Sequence, residues 1–277
     1  MQQHHNLCKF SNDDSWVILS DIEQSIKRKM ESAGTPLKDW DINIYRGVLT
    51  GFNDAFVITT ERRDEILAAC KTDKERMMTA SIIRPILRGR DIKRYGHEWS
   101  DLWLINTHNG VKGRIPRINI EDFPSVKAHL DMFWDKIKNR ADKGDTPYNL
   151  RNCAYLEDFD KPKIILQEIV QESQFMLDLD THYMCNDTCR IIVGRNLEFL
   201  LRILNSELFF YSVKTFYGGG GLGDHGVRMK HTFFCNFPCI PYVKELEEKS
   251  GQAEIESFIY GQYGLSTEEI KYIKGSL

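Results

Sequence analysis

No stretch of the sequence reaches the roughly 18 uninterrupted apolar residues that a membrane-spanning helix requires. Residues 1–10 have no basic segment leading into an apolar one, so no secretory signal is expected. Cysteine is sparse and odd in number, 7 in 277 residues, scattered at Cys8, Cys70, Cys153, Cys185, Cys189, Cys235 and Cys239. A chain with 42% hydrophobic residues can bury a core without disulfide staples. Reduced thiols in a cytoplasmic setting are therefore the expectation. Positive charge is lacking in bulk as well: the formal net charge is −3, so any affinity for nucleic acid has to come from how the charges are distributed.

Catalytic signatures are missing too. There is no Asn-Pro-Pro-Tyr or Asp-Pro-Pro-Tyr to hold the exocyclic nitrogen of a flipped base, and no G-x-S-x-G, H-E-x-x-H or C-x-x-C. A nuclease centre of Pro-Asp followed by Asp-x-Lys is represented only by its second half, Asp91-Ile92-Lys93, which chance supplies freely. The run Gly218 to Gly223 satisfies G-x-G-x-x-G in letters, but it follows a helical stretch instead of a strand and opens no helix, so it lacks the context of a dinucleotide site. No catalytic centre is expected in this chain.

The residues that are present outline an α+β fold. Ser20-Asp21-Ile22-Glu23 is a capping-box pattern followed by Ile22, Ile26 and Met30 at helical spacing. Residues 42–48 and 55–59 alternate as strands around the turn Thr50-Gly51-Phe52-Asn53-Asp54. Short helices are expected near 61–70 and 73–80, strands at 102–105, 163–170 and 190–193, and a helix from Pro124 with Val126, Leu130, Trp134 and Ile137 on one face. The strongest helix pattern runs over 197–213, with Leu200, Leu201, Leu204, Leu208 and Tyr211 as its stripe. Residues 243–260 and a second capping box at Ser266 give a helical C-terminal extension. Strands and helices alternate without a steady βαβ rhythm, so an irregular mixed sheet with packed helices is expected. The expected divisions are a lead-in segment over 1–40 with one helix, a main domain over 41–242, and a helical tail over 243–277.

Three segments carry the candidate binding chemistry. Residues 84–95 hold five cations, Arg84, Arg88, Arg90, Lys93 and Arg94, against the single carboxylate of Asp91. That density can neutralise phosphates, and arginine can fork onto a guanine edge; a solvated loop paired with nearby carboxylates is the plain alternative. The turn at Thr50, Gly51 and Asn53 exposes a hydroxyl, an amide and backbone N–H groups that can hold phosphate oxygens, or it is an ordinary hairpin turn. The glycines Gly218, Gly219, Gly220 and Gly221, flanked by Tyr217, His225, Arg228 and Lys230, permit close backbone approach to another surface, or form a linker. His182, Cys185 and Cys189, and His231, Cys235 and Cys239, are short clusters of soft ligands. Their spacing is not that of a zinc knuckle, and Phe233, Phe234 and Phe237 point to core packing, so no metal site is assigned.

In their order these segments resemble the TaqI-like C-terminal specificity domain, the target-recognition domain of type IIG-like restriction-modification enzymes and N6-adenine DNA methyltransferases. Trp16, Leu19, Lys29 and Leu37-Lys38-Asp39-Trp40 resemble its opening segment. Residues 44–56 resemble its most recognisable motif, and 84–95 the next block, Pro, Leu, Arg, Gly, Arg, Asp, Ile. Phe159 to Ile165 resembles its F-x-x-P-K-I strand, Leu204-Asn205-Ser206 its LNS helix, and Pro238-Cys239-Ile240-Pro241 and residues 263–270 its tail. Residues 97–117 depart from the pattern.

The resemblance implies recognition of double-stranded DNA without a catalytic centre in this chain, with no membrane partner. It also implies partnership with an N6-adenine methyltransferase domain or subunit that supplies S-adenosylmethionine binding and adenine flipping. The implied DNA contacts are Thr50, Gly51, Asn53, Arg88, Arg90, Lys93, Arg94, Lys163, the four glycines from Gly218 to Gly221, Arg228 and Lys230. Two other readings remain open: a specificity subunit that docks onto a separate methyltransferase without touching DNA, and a cryptic nuclease or methyltransferase fragment.

Overall fold

The computed structural model describes residues 19–218 and 226–277. The chain forms two compact units. One comprises 42–169 and 174–197; the other comprises the described residues 19–41, 170–173, 198–218 and 226–277.

The first unit is built on two open four-stranded sheets. In one, the order is Phe175–Asp178, Lys163–Gln167, Cys189–Gly194, Ile42–Arg46, antiparallel throughout. Its two central strands read Lys-Ile-Ile-Leu-Gln and Cys-Arg-Ile-Ile-Val-Gly, and both are buried along most of their length. Strands covered on both faces lose the apolar–polar alternation of a half-exposed sheet. In the other sheet the order is Met184–Cys185, Ile83–Leu87, Leu102–Ile105, Val57–Thr59, with only the first pairing parallel. A single core joins them, including Phe56, Ile86, Leu104, Leu130, Phe159, Ile165 and Ile191. Helices Thr60–Ala68 and Asp73–Ile82 are each opened by a threonine, Thr59 and Thr72, whose side chain accepts a backbone N–H of the first turn.

The second unit is helical. Ser20 and Glu23 form the expected capping box on helix Asp21–Ala33, which buries Ile26 and Met30. Ser266 and Glu269 form another on Thr267–Gly275. The stretch expected as one helix over 197–213 is two, Leu197–Leu204 and Glu207–Thr215. Ser206 stops the first and caps the second, its hydroxyl accepting the Phe209 N–H at 3.1 Å. The Glu256 carboxylate accepts the Glu207 N–H at 2.9 Å. Phe209, Phe234, Phe237 and Tyr263 make the aromatic core of this unit.

The α+β class is the one found, and several element bounds differ from expectation. Residues 53–56 form a helical turn, so the strand expected over 55–59 is shortened to Val57–Thr59. The helix from Pro124 stops at Asp131 and restarts at Trp134–Ile137, which leaves Trp134 40% exposed. The tail helix over 243–260 is broken at Gly251 into Lys244–Glu248 and Gln252–Gln262. Residues 198–242, expected with the main domain, group instead with the N-terminal helix and the tail. Among the described residues no helix is long and apolar enough to cross a membrane. The opening residues Trp16 and Cys8 lie outside the described residues.

Candidate nucleic-acid interface

The basic block begins on the buried strand Ile83–Leu87 and continues through the single turn Gly89–Asp91 into the small hairpin Ile92–Lys93 and Gly96–His97. Most of its charge is matched internally. The Arg84 guanidinium meets Asp160 at 2.9 Å. Arg88 grips Asp91 through Nε and Nη2 at 3.0 and 2.9 Å, and the Ser100 hydroxyl donates to the same carboxylate at 2.8 Å. Burial pushes the Asp91 carboxyl up, but the hydrogen bonds from Arg88 and Ser100 outweigh it and hold the group below its ordinary value. Lys93 sits 3.6 Å from Glu98, and Arg94 is half-buried. Arg90 is exposed and its guanidinium has no side-chain partner among the described residues. Of the five cations, Arg90 is therefore the one most available to an outside anion.

The turn after strand Ile42–Arg46 divides its residues between inside and outside. Thr50 is buried and its hydroxyl donates to Asn53 Oδ1 at 2.5 Å, whereas Gly51 and Asn53 face solvent. Gly51 has φ 69°, and a Cβ there would lie 2.8 Å from the Asp142 carbonyl oxygen, so no other residue fits without displacing backbone. The support beneath the turn was not legible in the sequence. Arg140 is buried and donates to the carbonyls of Asp142 and Pro147 at 3.2 and 2.9 Å and to that of Asn149, and it lies 4.3 Å over the Phe56 ring. Burial pulls its guanidinium down to about 10, which leaves it protonated at neutral pH. His129 Nε2 meets the Ala55 carbonyl at 2.9 Å while Nδ1 accepts from Arg62 at 3.0 Å, a network that assigns the neutral Nε2–H tautomer. Burial holds this imidazole below its ordinary value.

These two segments are linked along one contact path. The Gly89 N–H donates to Thr188 at 2.9 Å, and its neighbour Asp187 pairs with Arg46 at 3.4 Å. Arg46 opens a cleft of about 220 Å³ lined also by Leu49, Arg151, Asn152, Cys153 and Tyr155. Arg151 pairs with Asp142, under Gly51, at 2.8 Å. Tyr155 stacks on Tyr45 with ring centres 4.3 Å apart.

Other expected residues lie elsewhere. Lys163 is a correction: its ammonium is fully buried, 2.7 Å from Asp178 and 2.9 Å from the Phe159 carbonyl, so it cannot reach a duplex. The two residues are cross-strand partners, and the pair ties the edge strand to the sheet. Gly218, Arg228 and Lys230 belong to the helical unit, where Arg228 and Lys230 are exposed. Gly219, Gly220, Gly221 and His225 lie outside the described residues. Among the described residues no group of three or more His, Cys, Asp or Glu is placed to hold a metal. Cys185 and Cys189 are free thiols; a hydrogen bond with Cys185 and burial both favour the neutral form of Cys189, and burial does the same for Cys239.

Comparison with known proteins bears out the resemblance read from the sequence. Residues 84–221 match the TaqI-like C-terminal specificity domain. The type II methyltransferase M.BstVI of Geobacillus stearothermophilus is 23% identical over 97% of this chain, and the chain spans 47%, about half, of that relative's length. Among solved structures, the type IIL restriction-modification enzyme MmeI in complex with DNA superimposes with a TM-score of 0.59 at 11% identity, over 87% of this chain and 36% of its own. The type IIG restriction endonuclease BpuSI superimposes with a TM-score of 0.52 at 14% identity, over 86% of this chain and 27% of its own. At these identities the two structures speak for the fold.

Proposed function

We propose that this chain is the target-recognition part of a restriction-modification system, reading double-stranded DNA for an N6-adenine methyltransferase domain or subunit. That partner binds S-adenosylmethionine and flips the adenine, while this chain contributes recognition and no bond-making step. A type IIG arrangement in the cytoplasm is the variant proposed. The single observation that carries this reading is the match of residues 84–221, basic block included, to a specificity domain.

Roles are assigned on exposure and charge. Arg90 leads the phosphate contacts, with Lys93 and Arg94 beside it, and Arg88 fixes the turn that presents them. Gly51 and Asn53 offer a backbone N–H and an amide to a neighbouring phosphate, with Thr50 holding the turn closed from within. Arg228 and Lys230 form a second contact on the helical unit. Fluorescence anisotropy of the chain with a labelled duplex at about 50 and 200 mM salt tests the reading. A protein that neutralises several phosphates loses affinity steeply over that range, by about 0.9 in log K per log salt for each phosphate. Absence of duplex binding at either salt would reject it.

A further inference from the structure

Residues 108–118 form a tight hairpin whose tip supports none of the core. Val111 and Ile115 exchange backbone hydrogen bonds at 2.9 Å, and the Ile118 N–H reaches the His108 carbonyl at 3.1 Å. Gly110 has φ 72°, and a Cβ there would lie 2.4 Å from the Ile115 carbonyl oxygen; Gly113 has φ 77°. The hairpin thus ends in Lys112-Gly113-Arg114, all exposed.

Its base, by contrast, is fastened from a distant segment. The Asn109 amide donates to Asp145 at 3.0 Å and to Asn152 at 2.5 Å, and its oxygen accepts the Asp145 N–H at 2.8 Å. Buried Asn149 donates to the Ile118 carbonyl at 2.9 Å. Ordering this much polar structure costs conformational entropy, and the tip that it holds steady buries nothing in return.

The tip is cationic and loosely engaged. Lys112 has no partner among the described residues. Arg114 pairs with Glu157 at 2.5 Å and donates to the Ala154 carbonyl at 3.2 Å, Arg117 pairs with Asp145 at 3.2 Å, and the side chains of both ion pairs are 42–61% exposed. Exposed pairs of this kind contribute little, so a stronger outside partner displaces the carboxylate readily. A two-stranded ribbon is one of the two elements that the major groove of B-DNA admits, and arginine forks onto the O6 and N7 of guanine there. Asn152 also lines the Arg46–Tyr155 cleft, so the hairpin adjoins the contact path described above.

We propose that the 109–117 hairpin enters the major groove and reads base edges through Arg114, with Lys112 beside it. This rests on the DNA-recognition reading and goes beyond it: the basic block grips phosphates, and the hairpin supplies sequence preference.

The test uses the full chain and a duplex pool with about 20 randomised base pairs, a length that spans a specific site. Bound duplexes are sequenced for wild type, R114K, K112A/R114A and R90A, with thermal melts confirming that each variant folds. R114K keeps the charge and loses the fork. The expected result is that R114K binds random duplex within about twofold of wild type but loses about tenfold of its preference at one or two positions. K112A/R114A should lose that preference as well, whereas R90A should weaken all sequences alike and keep it. If all variants select the wild-type sequence, the hairpin does not read bases. A silent R114K with uniformly weaker binding by K112A/R114A would make the hairpin a phosphate clamp and overturn the proposal. If wild type binds no duplex, the recognition reading itself fails, and the hairpin proposal with it.

Discussion

Arg90 and Lys163 are both cations in segments that resemble a DNA-recognition domain, yet their surroundings give them opposite roles. Arg90 is exposed and its guanidinium is unpaired among the described residues. R90A is expected to lower duplex affinity alike for all sequences and to reduce the slope of log K against log salt by about one, measured by anisotropy. Lys163 is enclosed with Asp178. Lys163→Ala leaves a buried carboxylate without its partner and should cost about 3–5 kcal/mol of stability by urea unfolding. Where the variant remains folded, its salt slope should match wild type. The signal for this burial was present in the sequence, since Lys163 opens the apolar run Ile164-Ile165-Leu166, but its partner lies 15 residues on and only strand pairing brings the two together.

His129 sets a pH dependence at the same scale. Its folded value lies below the ordinary 6.5, because burial and the nearby Arg62 disfavour the imidazolium more than the Ala55 carbonyl favours it. The unfolded chain therefore binds the proton more readily. Stability from this residue is complete above about pH 6.5 and is lost as pH falls below it. Unfolding free energy measured from pH 7.5 down to pH 5 should decline, and H129Q should flatten that decline.

Among the elements, the local rules that need no distant partner were legible. Both capping boxes, at Ser20 and at Ser266, are where Ser-x-x-Glu placed them, and the Leu102–Ile105 strand has the bounds its apolar run implied. The merged helix over 197–213 shows the limit. Its apolar stripe continues across Asn205-Ser206, so periodicity alone bridges a break that the Ser206 cap and the Glu256 carboxylate create. Ser206→Ala should cost about 1 kcal/mol through the lost cap, and Ser266→Ala a similar amount. The Ser266 cap also includes Glu269. Burial opposes ionisation of that carboxyl, but Lys29, the Ser266 N–H and Ser25 outweigh it and hold the group at about 2. The 109–117 hairpin was the least legible element, because the contacts that fasten it come from residues 145–152.

Across the whole molecule, the order of sequence blocks was more informative than bulk charge. A net charge of −3 hides a chain in which many cations are matched by carboxylates, while Arg90 and Lys112 are among the exposed cations, with Lys71, Lys74 and Lys271, that have no side-chain partner among the described residues. The division into units depends on contacts that no single segment carries: the chain leaves the sheet unit at 170–173 and again at 198, so segments distant in sequence fold together. The support beneath the candidate interface was hidden for the same reason: Arg140, Asn149 and Asn152 acquire their roles only through contacts across the fold.

Selection of duplexes from a randomised pool on the purified wild-type chain measures whether this chain reads DNA sequence. Enrichment of one sequence, bound at least about tenfold more tightly than random duplex at physiological salt, is expected. Retention of duplexes without sequence preference, or no retention at all, would contradict the recognition reading.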